Sequence, residues 1–187
     1  MKKKNSGFTL VELMIALSVA AVIASIALWD SSDVLEENRA ENFLLELKRN
    51  ISYARSQAAS TDEIVVICPA PQSNVKNAKS TLECKTNRWD GARRIIMFID
   101  GIGADGTRDG NYDETDDSLL RVMDQLNEND ALSFSGEKFI RFNTSGRITS
   151  TPGDFIYCPG GDDENNKALT LSQSGTAFYA GNTNSGC

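Results

Sequence analysis

The chain has no histidine, which removes the side chain that most often serves as general base or metal ligand near neutral pH. It has no Gly-x-Ser-x-Gly elbow to present a nucleophile. Its four cysteines include no close Cys-x-x-Cys pair of the kind that holds zinc. The carboxylates are numerous, but none are paired in a way that sequence marks as catalytic, so no enzymatic activity is expected. Proline is scarce, and neither proline nor glycine falls between positions 8 and 60, so nothing there stops a helix. Cations are also short, 19 against 26 carboxylates, for a formal net charge of −7. That acidity favours solubility and disfavours general affinity for nucleic acid or anionic lipid. No internal repeat or long low-complexity stretch divides the chain, which leaves one domain with its own core.

What the chain does have is concentrated at its start. Residues 7–27 read GFTLVELMIALSVAAVIASIA, an apolar run with one carboxylate, Glu12, preceded by Lys2, Lys3 and Lys4. As a helix rising about 1.5 Å per residue, residues 8–29 match a bilayer core of roughly 30 Å. A secretory signal is cut after its apolar region, beside small residues. Here the small residue, Gly7, comes before it, so cleavage would discard the lysines and keep the membrane segment. The lysines predict a cytoplasmic amino terminus and an exported remainder. Glu12 needs a partner, because a carboxylate near a membrane helix centre costs about 2.5–3.5 kcal/mol. Once the leader is gone, the amine of Phe8 lies one helical turn away.

The string Gly7-Phe8-Thr9-Leu10-Val11-Glu12 resembles the processing site of type IV pilins and the related pseudopilins of type II secretion. The resemblance implies that a prepilin peptidase cuts between Gly7 and Phe8 and that Phe8 is then N-methylated. It also implies that Glu12 neutralises the amine of a neighbouring subunit during assembly. The implied partners are other minor and major pilins, the peptidase, an inner-membrane assembly platform, and the membrane itself before assembly. The implied location is single-pass in the inner membrane with a periplasmic carboxy-terminal domain, then the surface pilus.

Beyond the membrane segment the helical pattern continues. Phe43, Leu47, Ile51, Ala54 and Ala58 recur at intervals of three and four with Leu44 alongside, while Glu37, Arg39, Glu46 and Lys48 are assigned to the opposite face. A helix break near Asp30-Ser31-Ser32-Asp33 is the alternative to one continuous helix, since those residues cap well. Many pilins carry a proline near position 29, where this chain has Trp29. After Ser60 the period changes to that of strands, with short β-branched runs at 64–68 and 94–99. Further candidates lie at 119–123, 138–142, 155–158, 169–171 and 177–179. The expected fold is α+β and pilin-like: a long amino-terminal helix on a small antiparallel β domain. Its divisions are a leader at 1–7, a transmembrane and assembly helix at 8–29, an amphipathic second half at 30–60, and a periplasmic β domain at 61–187.

Four cysteines allow three connectivities. Pairing in sequence order, Cys68 with Cys84 and Cys158 with Cys187, closes two modest loops and pins a tail rich in glycine and asparagine. An exported domain permits such bonds.

The order of the later features narrows the resemblance. An early strand ends in Cys68, Trp89-Asp90-Gly91 forms a turn, an apolar strand runs to Ile99, and Phe142-x-x-x-Gly146-Arg147 is followed by Phe155-Ile156-Tyr157-Cys158. This layout is similar to the minor pilin and pseudopilin group that includes FimU, FimT and GspH. It implies a subunit that primes type IV pilus assembly at or near the fibre tip and serves twitching, adhesion or competence. A minor pseudopilin of type II secretion is the alternative. A DNA-uptake receptor is a third reading, because some FimT-like relatives take up DNA through an arginine-rich carboxy-terminal region. Beyond Arg147 this chain has only Lys167, and Arg93-Arg94 with Arg88 is the other basic group, so nucleic acid is not the expected partner.

Two further motifs carry less than they suggest. Gly101-Ile102-Gly103-Ala104-Asp105-Gly106 fits G-x-G-x-x-G, but an acidic, turn-forming stretch follows where a dinucleotide site needs a helix. The glycines therefore read as turns. Seven carboxylates between Asp100 and Asp117 offer oxygen ligands for calcium in the loop from Asp105 to Asp117. The EF-hand order fails at Thr107, so a solvated acidic loop is the favoured reading and no cofactor is expected.

Overall fold

The stretch free of proline and glycine is helical on both sides of position 30, as α1 (Leu10–Trp29) and α2 (Ser31–Thr61). This computed structural model describes residues 8–29, 31–84, 89, 93–161 and 164–187, with 26–29 and 31–33 as helical backbone alone. Asp30, where a break was considered, lies outside them, as do Arg88 and the Asp90-Gly91 part of the expected turn. The chain divides into two compact units, Met1–Glu36 and Glu37–Cys187.

In the first unit every described side chain from position 8 to 25 is exposed. The two serines of α1 satisfy their hydroxyls internally, Ser18 on the Ile15 carbonyl at 2.8 Å and Ser25 on that of Val22 at 2.7 Å. A helix whose serines bond internally and whose exposed surface, Glu12 apart, is almost wholly apolar is suited to an apolar environment. Among the described residues no helix is long and apolar enough to cross a membrane. The described side chains of α1 stop at Ser25, and the expected span of 8–29 runs past them.

The second unit is built around α2. Ala40, Leu44, Leu47, Ile51, Ala54 and Ala58 are fully buried along one stripe. Phe43, expected on that stripe, lies at its flank, half-buried and packed on Tyr157 with ring centroids 5.3 Å apart. Glu37 and Arg39 correct the assignment of an outward face. Both flank the stripe closely enough for their long side chains to reach the β domain, where Glu37 meets Lys167 and Arg39 meets Asp130.

Two four-stranded antiparallel sheets enclose the stripe. The first has β1 (Val65–Pro71), β3 (Arg93–Ile99), β5 (Ser118–Val122) and β7 (Ile140–Phe142), in the order β5-β3-β1-β7. The second has β6 (Ala131–Phe134), β8 (Gly153–Cys158), β9 (Lys167–Leu171) and β10 (Ala177–Asn182), in the order β10-β9-β8-β6. Inner residues of both sheets join the α2 stripe in one core, with Trp89, Phe134 and Phe155 at its aromatic centre. The Val65–Ala70 part of β1 is buried on both faces, which explains a continuous apolar run instead of alternation. Its outer face forms a second cluster, against which Val75 of the short α3 (Gln72–Lys76) and Tyr112 of β4 (Tyr112–Asp113) pack. β4 pairs with β2 (Thr81–Leu82).

The strands arise from the expected segments with shifted ends, and five described elements have no counterpart in the sequence reading: α3, β2, β4, β6 and a 3-10 turn at Pro159–Gly161. Four of these are too short to show a period. β6 is four residues containing two serine or alanine positions, and it is held by its partner β8.

Candidate assembly site

At the head of α1, Thr9 and Glu12 satisfy each other. The Glu12 carboxylate accepts from the Thr9 backbone N–H and hydroxyl, both at 2.9 Å, and the Glu12 N–H donates to Thr9 Oγ1 at 3.2 Å. This is a reciprocal capping box, in which two otherwise orphaned N–H groups at a helix start find partners. Phe8, just before it, is 89% exposed, and Gly7 lies outside the described residues. From the sequence, the expected partner of Glu12 is an amine. In this chain its carboxylate is held by Thr9, a local bond that a fully charged amine can outcompete.

The cysteines are joined as Cys68–Cys84, with Cα atoms 5.6 Å apart, and Cys158–Cys187, at 6.2 Å. The first ties the β1 strand to the β2 segment, and the second lays the chain end against β8. A polar joint fastens α2 to the second sheet. Asp130, fully buried, accepts from Arg39 Nε at 2.6 Å and Nη2 at 2.8 Å, from the Gly160 N–H at 2.9 Å, and from the Tyr157 hydroxyl. Burial, then the Asp130 bond, raises the Tyr157 phenol far above its ordinary range. The bond to Asp130 likewise raises the Arg39 guanidinium. Lys167, also buried, pairs with Glu37 at 2.8 Å and with Asn182.

The acidic loop is internally bonded. Burial raises Asp100 despite Arg141 at 2.9 Å, and Asp100 also accepts from the Gly110 N–H. Burial raises Asp117, which accepts from the Gly101 and Asp113 N–H groups. The backbone and hydroxyl of Thr107 lower Asp105, and those of Thr115 lower Asp113. Among the described residues no group of carboxylates, cysteines or histidines is arranged to hold a metal ion. The glycine motif makes a turn, with the Gly106 N–H on the Gly103 carbonyl and the Gly103 N–H on that of Thr107. No helix follows it.

Comparison with known proteins places this architecture. A model described as the prokaryotic N-terminal methylation motif matches residues 2–28. A model described as type II transport protein GspH matches residues 45–175, most of the chain. The chain belongs to the GspH family. Its fold is similar to that of the type IV minor pilin FimU of Pseudomonas aeruginosa at 20% identity. That match covers 77% of this chain and 90% of FimU with a TM-score of 0.51. It is also similar to that of the minor pseudopilin EpsH from the type II secretion system of Vibrio cholerae at 15% identity. There the match covers 80% of this chain and 98% of EpsH, again at 0.51. No curated protein matches the chain. It carries the GspH-family domain on the fold that FimU and EpsH also have.

Within this GspH-family domain, Gly146, singled out by sequence, and Gly175 have packing reasons. Gly146 has φ +71°, and an added Cβ would lie 3.1 Å from Arg55 Cγ on α2. On Gly175, at φ +80°, an added Cβ would lie 2.7 Å from the Gly146 carbonyl oxygen and 2.8 Å from the Phe142 ring. Gly146 thus lets its turn approach the helix, and Gly175 lets the next turn approach Gly146. Sequence reading missed the Arg39–Asp130–Tyr157 joint, because its members are 91 and 27 positions from Asp130. A tyrosine in an otherwise apolar strand core was the one available signal.

Proposed function

We propose that this chain is a minor pilin that takes part in priming type IV pilus assembly and sits at or near the fibre tip. It is cut between Gly7 and Phe8, methylated on Phe8, and held through residues 8–29 in the inner membrane, with its β domain in the periplasm until assembly. The observation that carries this reading is the head of α1: an exposed apolar helix whose one carboxylate, Glu12, sits a single turn from the cleavage point. In an apolar bundle a neighbour's amine is the strongest available partner for that carboxylate, and exchanging the Thr9 bonds for an ion pair keeps it satisfied. Two disulfides suit a domain exposed outside the cell. Deletion tests the role. Loss of surface piliation and twitching, with protein secretion unchanged, is the expected result.

A second reading, a minor pseudopilin of type II secretion, is favoured by the family description, which names type II transport. It predicts the opposite phenotype from the same deletion: secretion lost and piliation intact. Direct DNA uptake finds less support, because the carboxy-terminal region offers only Lys167 beyond Arg147, and Lys167 is buried against Glu37.

A further inference from the structure

On a chain with 26 carboxylates and 19 cations, two adjoining clefts beside α2 are lined by no carboxylate. One, of about 300 Å³, lies between the helix and two turns, with Ser52, Arg55, Ser56, Ser145 and Thr176 around it. The other, of about 370 Å³, is lined by Leu45, Lys48, Arg49 and Ser52. Ser52 belongs to both. Positions 45, 48, 52, 55 and 59 follow helical spacing, so the clefts form one strip beside the buried stripe.

Arg55 is the centre of this strip. It is half-buried, and its Nη1 donates to Thr176 Oγ1 at 2.7 Å. Among the described residues it enters no ion pair. Its stem is fixed from behind by Gly146, the close approach that only glycine permits there. The remaining N–H groups are thus presented at a constant place, beside hydroxyls that can donate to an incoming oxygen. Two other cations held within the domain have carboxylates of their own: Lys167 has Glu37 and Arg141 has Asp100. A positioned guanidinium with hydroxyl neighbours and no internal counter-charge matches the geometry of a carboxylate supplied from outside.

We infer that the Ser52–Arg55–Ser145–Thr176 cleft, with Lys48 and Arg49 beside it, docks an acidic surface segment of a neighbouring fibre subunit. This rests on the reading of the chain as a fibre subunit. A nucleic acid is the poorer occupant, because only three cations line the strip while the chain as a whole carries −7. A short protein segment with one or two carboxylates needs no more than these cations provide.

The test uses the full chain in cells that build the fibre, with a photoreactive benzoylphenylalanine in place of Ser56. Illumination is expected to give one adduct, mapped by mass spectrometry to a segment of another fibre subunit containing Asp or Glu. Arg55→Glu should lower the adduct about tenfold, while Arg55→Lys retains most of it. If Arg55→Glu fails to accumulate, Arg55→Gln, which keeps a donor for Thr176 but loses the charge, should still lower the yield. An adduct on a neutral or basic segment, an adduct on DNA, or an adduct indifferent to Arg55 overturns the inference while leaving the subunit reading intact. The same holds for a wild-type chain that enters fibres yet gives no adduct. A chain absent from fibres altogether overturns both.

Discussion

The tasks proposed for Gly7 and Glu12 are separable, and single substitutions should part them. Gly7→Glu puts a charged side chain beside the scissile bond, so the full-length precursor should accumulate, read as intact mass of the membrane-extracted chain. Glu12→Ala leaves the bond untouched and should be cut normally. It removes both the Thr9 box and the counter-charge for a neighbour's amine, so the mutant should be depleted from sheared fibres. Normal recovery in fibres would contradict the role given to Glu12. Asp130 offers a third case, set in the fold instead of the assembly apparatus. Asp130→Ala strands Arg39, the Tyr157 hydroxyl and the Gly160 N–H together. Breaking such a buried pair costs about 3–5 kcal/mol, readable as a lowered denaturant midpoint of the β domain.

Elements differ in how plainly the sequence announces them. The helical stretch is legible because α2 repeats one apolar interval from Ala40 to Ala58 and because nothing in it stops a helix. β1, β3 and β8 are legible because burial demanded β-branched and aromatic runs. β2, β4 and α3 are not, since elements of two to five residues owe their form to what they pack on. The processing motif and Glu12 were readable as a local string. Arg55 was not, because its significance lies in Gly146 and Thr176, which meet it from far along the chain. The disulfides act at this scale too. The Cys158–Cys187 bond closes a separation of 29 residues, worth about 3 kcal/mol in the chain-entropy view. Replacing both cysteines by serine should free the residues after β10 and speed proteolytic trimming from the carboxy terminus, with α1 still in the membrane fraction. Trimming at the wild-type rate would show that the bond does not hold the tail.

As a whole, the molecule joins an apolar helix, exposed over all its described length, to an acidic β domain built around α2. The first presents apolar side chains that water does not favour, and the second is closed by two disulfides, which suit an oxidising compartment. On the proposed reading the helix passes from a membrane into a bundle of like helices, and that passage begins with removal of the leader. The most direct test is the intact mass of the chain recovered from sheared surface fibres. The account predicts a mature chain that begins at N-methylated Phe8, with residues 1–7 gone. A chain that still carries Met1–Gly7, or one that never leaves the membrane fraction of a fibre-building cell, would contradict it.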